Sequence, residues 1–383
     1  MRQPHVHSHV HSHGGPTAAK ASVKWILAAV MVVFAALTAL GAVWLWPTDA
    51  PQKQPWLYEG SELLTATIVE LVPDPDGDVL RVRLDNGTTA NVPADANAPL
   101  ADAHVGQRVK VLHLLDGSDT YIFMDYERGW PLLALAVVFA GIVLAVARWK
   151  GLAALIGLVV AVALVWIFTL PALAAGSDAL LVALVTAAMI MFVVVYLAHG
   201  ITVKTTTALL GTFAGIAAVT ALAAWAIPAT SLIPMQDEAM AQLTFQHPGV
   251  DIRGVLLCGM VLAGVGVLND VTITQASSVW ELRAAAPDAT RRTIFTHAMR
   301  IGRDHIASTV YTIAFAYVGT AVALLLLASR LDFSILDLLT LNTIASELVA
   351  TLVVSISLVA TIPVTTALGA WLAGPTAVVV EEH

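Results

Sequence analysis

The sequence predicts a mainly α, polytopic membrane protein with about eight transmembrane helices and one small extracytoplasmic β-barrel-like domain of the oligonucleotide/oligosaccharide-binding (OB) shape. Three observations predict it. Of 383 residues, 58% are hydrophobic and only 12% charged, about half the charge of an ordinary globular domain, so the apolar excess must face lipid. The apolar residues gather in eight runs of about 18 or more, long enough to cross a hydrocarbon core roughly 30 Å thick as helices. One long stretch between the first two runs alternates instead and carries hairpin signals. The composition also excludes a disulfide-stapled chain, because Cys258 is the lone cysteine.

Residues 1–24 read as a disordered, His-rich cytoplasmic tail. The run from Trp25 to Trp46 follows Lys20 and Lys24, but it is about twice the length of a signal-peptide core and precedes no small-x-small site, which predicts an uncleaved anchor. Residues 47–129 form the soluble domain. Leu64 to Val72 alternates weakly, Asn86-Gly87 punctuates Val79 to Val92, and Asp116-Gly117 punctuates Val109 to Tyr126. Five or so short strands in this length predict a small OB-like barrel. The segment holds 14 acidic and 6 basic residues, so it carries the whole net charge of −8. That acidity suits a solvated outer surface and argues against nucleic acid as partner.

Residues 130–373 are read as a seven-helix domain. Its spans are Trp130 to Ala147, Leu152 to Leu170, Ala179 to Ala198, Thr205 to Ile227, Gly254 to Thr272, Ile306 to Ala328 and Ile344 to Leu372, the last containing Pro363. Segment 288–303 reads as an interfacial amphipathic helix, with Ile294, Ala298 and Ile301 on one face and Arg291, Arg292, Arg300 and Arg303 toward lipid headgroups. Residues 374–383 are a cytoplasmic tail. With the N-terminus inside, the inner segments hold 11 Lys and Arg residues against 2 in the short outer loops, which predicts both termini in the cytoplasm.

Ionisable side chains inside spans mark functional sites. Asp270 and Glu347 are the two; Glu347 lies close enough to a span end to reach the interface. Asp270, about 24 Å along its span at 1.5 Å per residue, shares a helical face with Thr274, Ser277 and Glu281, continued by Gly266, Ala263 and Gly259, small residues that admit a close neighbour. The next span offers Ser308, Tyr311 and Thr312 at matching depth, with Asp304 and His305 at its mouth. A carboxylate among hydroxyls beside a histidine is suited to taking up and releasing protons; the alternative is a hydrogen-bonded lock between helices. The proton-coupling candidates are therefore Asp270, Asn269, Thr274, Ser308, Tyr311, Thr312, Asp304 and His305. His5, His7, His9, His11 and His13 alternate without fixed geometry, which gives at most a weak, adaptable divalent-metal site, and no other cofactor is expected. The sequence lacks a nucleophile–base set, a phosphate-cradling Gly loop or a paired Cys motif, so no enzyme is expected. Thr205-Thr206-Thr207 after Lys204 reads as a helix start.

The order of an anchor, an outer β domain and seven further spans, with the stretches GVGVLNDVTITQ (264–275) and GRDHIASTVYT (302–312), resembles the YibE/F family of multi-spanning bacterial membrane proteins. The resemblance implies a bacterial cell-membrane location and this topology, and no established biochemical function. Leu268-Asn269-Asp270, with Glu281-Leu282-Arg283 eleven residues on, is also similar to a segment of SecF-type subunits of the resistance-nodulation-division superfamily. That likeness implies proton coupling at Asp270 beside Asn269. The readings that remain are a proton-coupled transporter, a scaffold or regulator whose β domain binds an envelope partner, and metal handling through the His tract. The expected partners are the bilayer and a second copy or second membrane subunit.

Overall fold

The computed structural model describes residues 21–48, 60–73, 78–94, 103–115, 117, 120–232, 238–247, 249–331 and 334–373. The chain divides into two compact units, residues 52–151 and residues 1–51 with 152–383.

The first unit holds a five-stranded antiparallel sheet: β1 (Ser61–Val72), β2 (Val79–Leu84), β3 (Thr89–Pro93), β4 (Arg108–Leu114) and β5 (Tyr121–Tyr126), in the order β3-β2-β1-β4-β5. Alternation decides which side chains face inward: Ile68, Leu80, Val82, Val92, Val109 and Val111 are all fully buried, while most of their neighbours along the strands are more exposed, Leu112 excepted. β1 pairs with both β2 and β4 and carries a bulge between Ile68 and Glu70 that curls the sheet, bringing β3 alongside β5. This is the expected OB-like half-barrel. At the β2–β3 hairpin, Gly87 takes φ +90° and its N–H donates to the carbonyl of Leu84, as the Asn-Gly turn signal requires. Of the second expected turn, Gly117 has φ +86° while Asp116 lies outside the described residues.

Among the described residues, seven helices are long and apolar enough to cross a membrane. Eight spans were expected, and the difference lies at Arg148. The second and third expected spans join in one element, Gly129–Ala174, made of α2 (Gly129–Leu164), a π-helical turn (Val165–Thr169) and α3 (Leu170–Ala174). Arg148 leaves the helical region, at φ 53° and ψ −130°. A Cβ at Gly151 would stand 2.6 Å from the carbonyl oxygen of Val143, whereas a straight helix would hold residues eight apart about 12 Å from each other. The chain therefore bends sharply between the two apolar runs, where the sequence has the polar break Arg148-Trp149-Lys150-Gly151.

The second unit contains α1 (Ala21–Trp44), α4 (Ala179–His199), α5 (Val203–Ala229), α6 (Glu238–Gln246), α7 (Ile252–Ala285), α8 (Arg291–Ser329), α9 (Ile335–Thr340) and α10 (Asn342–Leu372). Asp178, Thr202, Asp251 and Thr290 cap α4, α5, α7 and α8 through their side chains. The centre is α5, α7 and α10, held by close contacts at glycines: a Cβ at Gly211 or Gly215 would collide with Thr365 or with Thr361 and Leu268. Helices associate in lipid through such small-residue contacts. The expected interfacial helix and seventh span are one continuous 39-residue helix, α8. Its buried face at the first turns is Ile294, Ala298 and Gly302, packed toward α7 and α10, and Ile301 is exposed. Pro363 sits inside α10 without ending it.

Candidate functional site

The depth of Asp270 follows from helix register. Gly215 faces Leu268, Gly264 faces Val219, and the hydroxyls of Thr212 and Thr272 hydrogen-bond at 2.7 Å. α7 thus runs antiparallel to α5, with Asp270 level with Phe213. That level is ten residues from Val203, the start of α5, or about 15 Å at 1.5 Å per residue. Asp270 therefore lies within the lengths of both helices and not at an end of either.

At this level Asp270 meets His305 of α8, whose Nε2 lies 3.8 Å from the carboxylate Oδ2. The separation exceeds a hydrogen bond and suits an ion pair that a small rotation closes. The His305 Nε2 is buried with no hydrogen-bond partner, as is the Oδ1 of Asn269. The Asp270 side chain is 72% exposed on the surface of the chain. The hydroxyls expected around it do not join it. Thr312 donates to the carbonyl of Ser308, Tyr311 is exposed, and among the described residues no hydrogen bond links Asp270 to Asn269, Thr274, Ser308, Tyr311 or Thr312. Asp304 is exposed beside His305. The stripe Gly259, Ala263 and Gly266 is exposed as well, and a Cβ at Gly259 or Gly266 would meet nothing within 4 Å. So α8 does not use the small residues of that face, and the close approaches on α7 occur instead at Gly254 and Gly264.

The polar groups that are buried lie elsewhere. Gln275 donates from Nε2 to the carbonyl of Ala298 at 2.9 Å and to the hydroxyl of Thr366 at 2.8 Å, tying α7 to α8 and α10. Thr169 and Thr186 share a hydrogen bond of 2.8 Å. Thr205, Thr206 and Thr207 do start α5, with the Thr202 hydroxyl accepting from the Thr205 N–H, and all three are also buried. Hydroxyls spaced by four along α10 (Ser357, Thr361, Thr365) and glycines spaced by four along α5 (Gly211, Gly215) were the signal for this core.

Arg283, at the end of α7, is fully buried. Its Nη1 donates to the carbonyls of Pro287 and Ala289 and so staples the α7–α8 junction, while Nε and Nη2 have no partner. In the β domain the charges are solvated and paired: Arg81 with Glu70, Arg108 with Asp85 and Glu127, and Arg128 with Asp125. The Arg128 hydrogen bond, then the Tyr126 N–H, holds the Asp125 carboxyl below its ordinary range. The bonds to Glu127 and Asp85 raise the Arg108 guanidinium, and Asp125 raises Arg128. Among the described residues no group of three or more His, Cys, Asp or Glu is placed to hold a metal ion. The tract His5, His7, His9, His11 and His13 lies outside the described residues.

Fold and site define a multi-pass membrane protein with an OB-like domain and a carboxylate–imidazole pair between two helices, α7 and α8. Its helical region from residue 135 to 375 matches the family model described as YibE/F-like protein. The chain belongs to the YibE/F family. Neither a curated protein nor a solved structure matches it.

Proposed function

We propose that the protein is a proton-coupled membrane transporter in which Asp270 and His305 exchange a proton, with both termini in the cytoplasm of a bacterial cell. The observation that carries this reading is the 3.8 Å approach of His305 to Asp270, well inside the length of α7. A carboxylate at that depth is costly against acyl chains, so it requires water or a protein group at its exposed side. A second copy of the chain supplies that cover. The open stripe Gly259, Ala263 and Gly266 beside Asp270 admits another helix closely, and α8 is little buried along its span. No covalent chemistry is assigned to the chain.

Proton exchange proceeds between Asp270 and the imidazole, with Asp304 and Arg303, both exposed one and two residues before His305, tuning the local charge. The test is reconstitution of the whole protein in vesicles loaded with a pH-sensitive dye. Wild type is expected to carry protons under an imposed gradient and Asp270→Asn to abolish it while inserting normally, since Asn keeps shape and hydrogen bonding but cannot ionise. Equal flux from both proteins would overturn the reading.

A further inference from the structure

Where α1 and α5 begin and α7 ends, the helical unit forms an open cleft of about 760 Å³. Its charged lining is Lys24 of α1, Lys204 of α5 and Glu281 of α7. Among the described residues neither lysine forms an ion pair. Thr202, the cap of α5, and Val203 also line it, so the positive end of a 27-residue helix adds to the two ammonium groups. The hydroxyls of Tyr196 and Thr206, which also line it, hydrogen-bond each other at 3.3 Å, and the rest of the wall is mostly apolar, with Leu27 and Met31 one turn apart on α1 and Ile201, which is 82% exposed. Trp280 stands at the same rim, the place an amphipathic ring takes between hydrocarbon and water.

These features discriminate among occupants. A lone inorganic anion satisfies the lysines but leaves the apolar wall wet, and it fills a small part of a volume typical of organic-ligand sites. A hydrocarbon satisfies the wall and leaves two cations unneutralised. An amphiphile with a phosphate at its polar end satisfies both. Glu281 in the same lining disfavours a second negative charge and accepts a hydrogen bond from the head, which a glycerol hydroxyl or a primary ammonium provides and a choline does not.

We infer that this cleft binds one phospholipid, its phosphate held by Lys24 and Lys204, its head-group donor on Glu281, and its acyl chains along Leu27, Met31 and Ile201. The lipid ties α1, which packs on α4 and α5, to the end of α7. Proton exchange at Asp270 is not required for it.

The test uses the full chain reconstituted in vesicles of equimolar dioleoyl phosphatidylglycerol and dioleoyl phosphatidylcholine, extracted in mild detergent and weighed by native mass spectrometry. Two lysines near a membrane surface favour the phosphatidylglycerol by about thirtyfold, so wild type is expected to retain it in large excess. Lys24→Gln with Lys204→Gln is expected to remove the preference; Lys24→Arg with Lys204→Arg keeps the charge and the preference and shows that the fold is intact. Arg253→Gln, at the opposite end of α7, leaves it unchanged. The inference is overturned by a wild type that retains both lipids equally, by a preference that survives the double glutamine change, by one that the arginine pair loses, or by displacement with millimolar inorganic phosphate, which would mark a free-anion site.

Discussion

Gly211→Ala is the sharpest test of how the helices meet. The added methyl would stand 2.1 Å from Oγ1 of Thr365 and 3.0 and 3.1 Å from its Cβ and Cγ2. Carbon contacts are favourable at about 3.5–4.0 Å, so α5 and α10 must part by roughly 1 Å at their crossing. Thr365 is fully buried inside a helix, and whichever of its two helical rotamers it takes its Cβ stays where the methyl meets it at 3.0 Å. Overpacking of this kind costs about 1–3 kcal/mol, and removing a glycine from a helix interior returns about 0.5–1 kcal/mol, leaving a net loss of about 1–2 kcal/mol. The assay is reversible unfolding in mixed micelles by titration with sodium dodecyl sulfate. Thr365→Ala, whose hydroxyl has no partner to lose, is expected to be mild alone and to restore most of the Gly211→Ala loss in the double variant, a coupling of about 1 kcal/mol. Gly141→Ala, with nothing within 4 Å of its Cβ, is the neutral control. A Gly211→Ala protein as stable as wild type, or a double variant no better than the single, would refute the close crossing of α5 and α10 at this pair.

Gln275→Leu removes the donor that ties α7 to α8 and α10; interhelical hydrogen bonds in lipid average about 0.6 and reach about 1.7 kcal/mol, so a loss in that range is expected in the same micelle titration, and a gain in stability would contradict the geometry. Arg283→Gln frees the carbonyls of Pro287 and Ala289 and is expected to speed amide hydrogen exchange through Asp288 to Thr293 by at least tenfold, about 1.4 kcal/mol of local opening within the usual cost of a lost buried bond; unchanged exchange there would show that the staple is idle. In the β domain, the depressed Asp125 carboxyl contributes stability above its ordinary value of 3.8 and loses it as pH falls below. Its carboxyl ¹³C shift, followed in the whole protein, should titrate below 3.8 and move upward in Arg128→Met; a wild-type midpoint at or above 3.8 contradicts the pairing.

The spans, the outer sheet and its first turn were legible because each rests on local period: apolar runs of membrane length, alternation, and an Asn-Gly pair. The bend at Arg148 was legible as a polar break, and its local geometry is a matter of backbone angles that no composition encodes. A basic amphipathic pattern such as 288–303 looks alike whether its apolar face meets lipid or protein; Ile294, Ala298 and Gly302 meet protein. For the site, the pairing of α7 with α8 at Asp270 and His305 was readable from matching depth. The hydroxyl cage was not, since the Thr312 hydroxyl donates to the backbone carbonyl of Ser308 within its own helix, as hydroxyls commonly do. Gly259 and Gly266 looked like an interface to α8 because small residues mark where a helix can approach, without saying which helix comes. Arg283 passed as a topology marker, because burial of a guanidinium by its own connecting loop leaves no trace in spacing.

Whether Asp270 takes up a proton inside the bilayer can be observed without knowing any substrate. Infrared difference spectra of the protein in lipid, recorded across an acid step for wild type, Asp270→Asn and His305→Gln, report the protonated carboxyl directly. A carboxyl band that appears on acidification, vanishes in Asp270→Asn and shifts its midpoint in His305→Gln is the predicted result. A spectrum identical in all three proteins would contradict proton exchange at this pair.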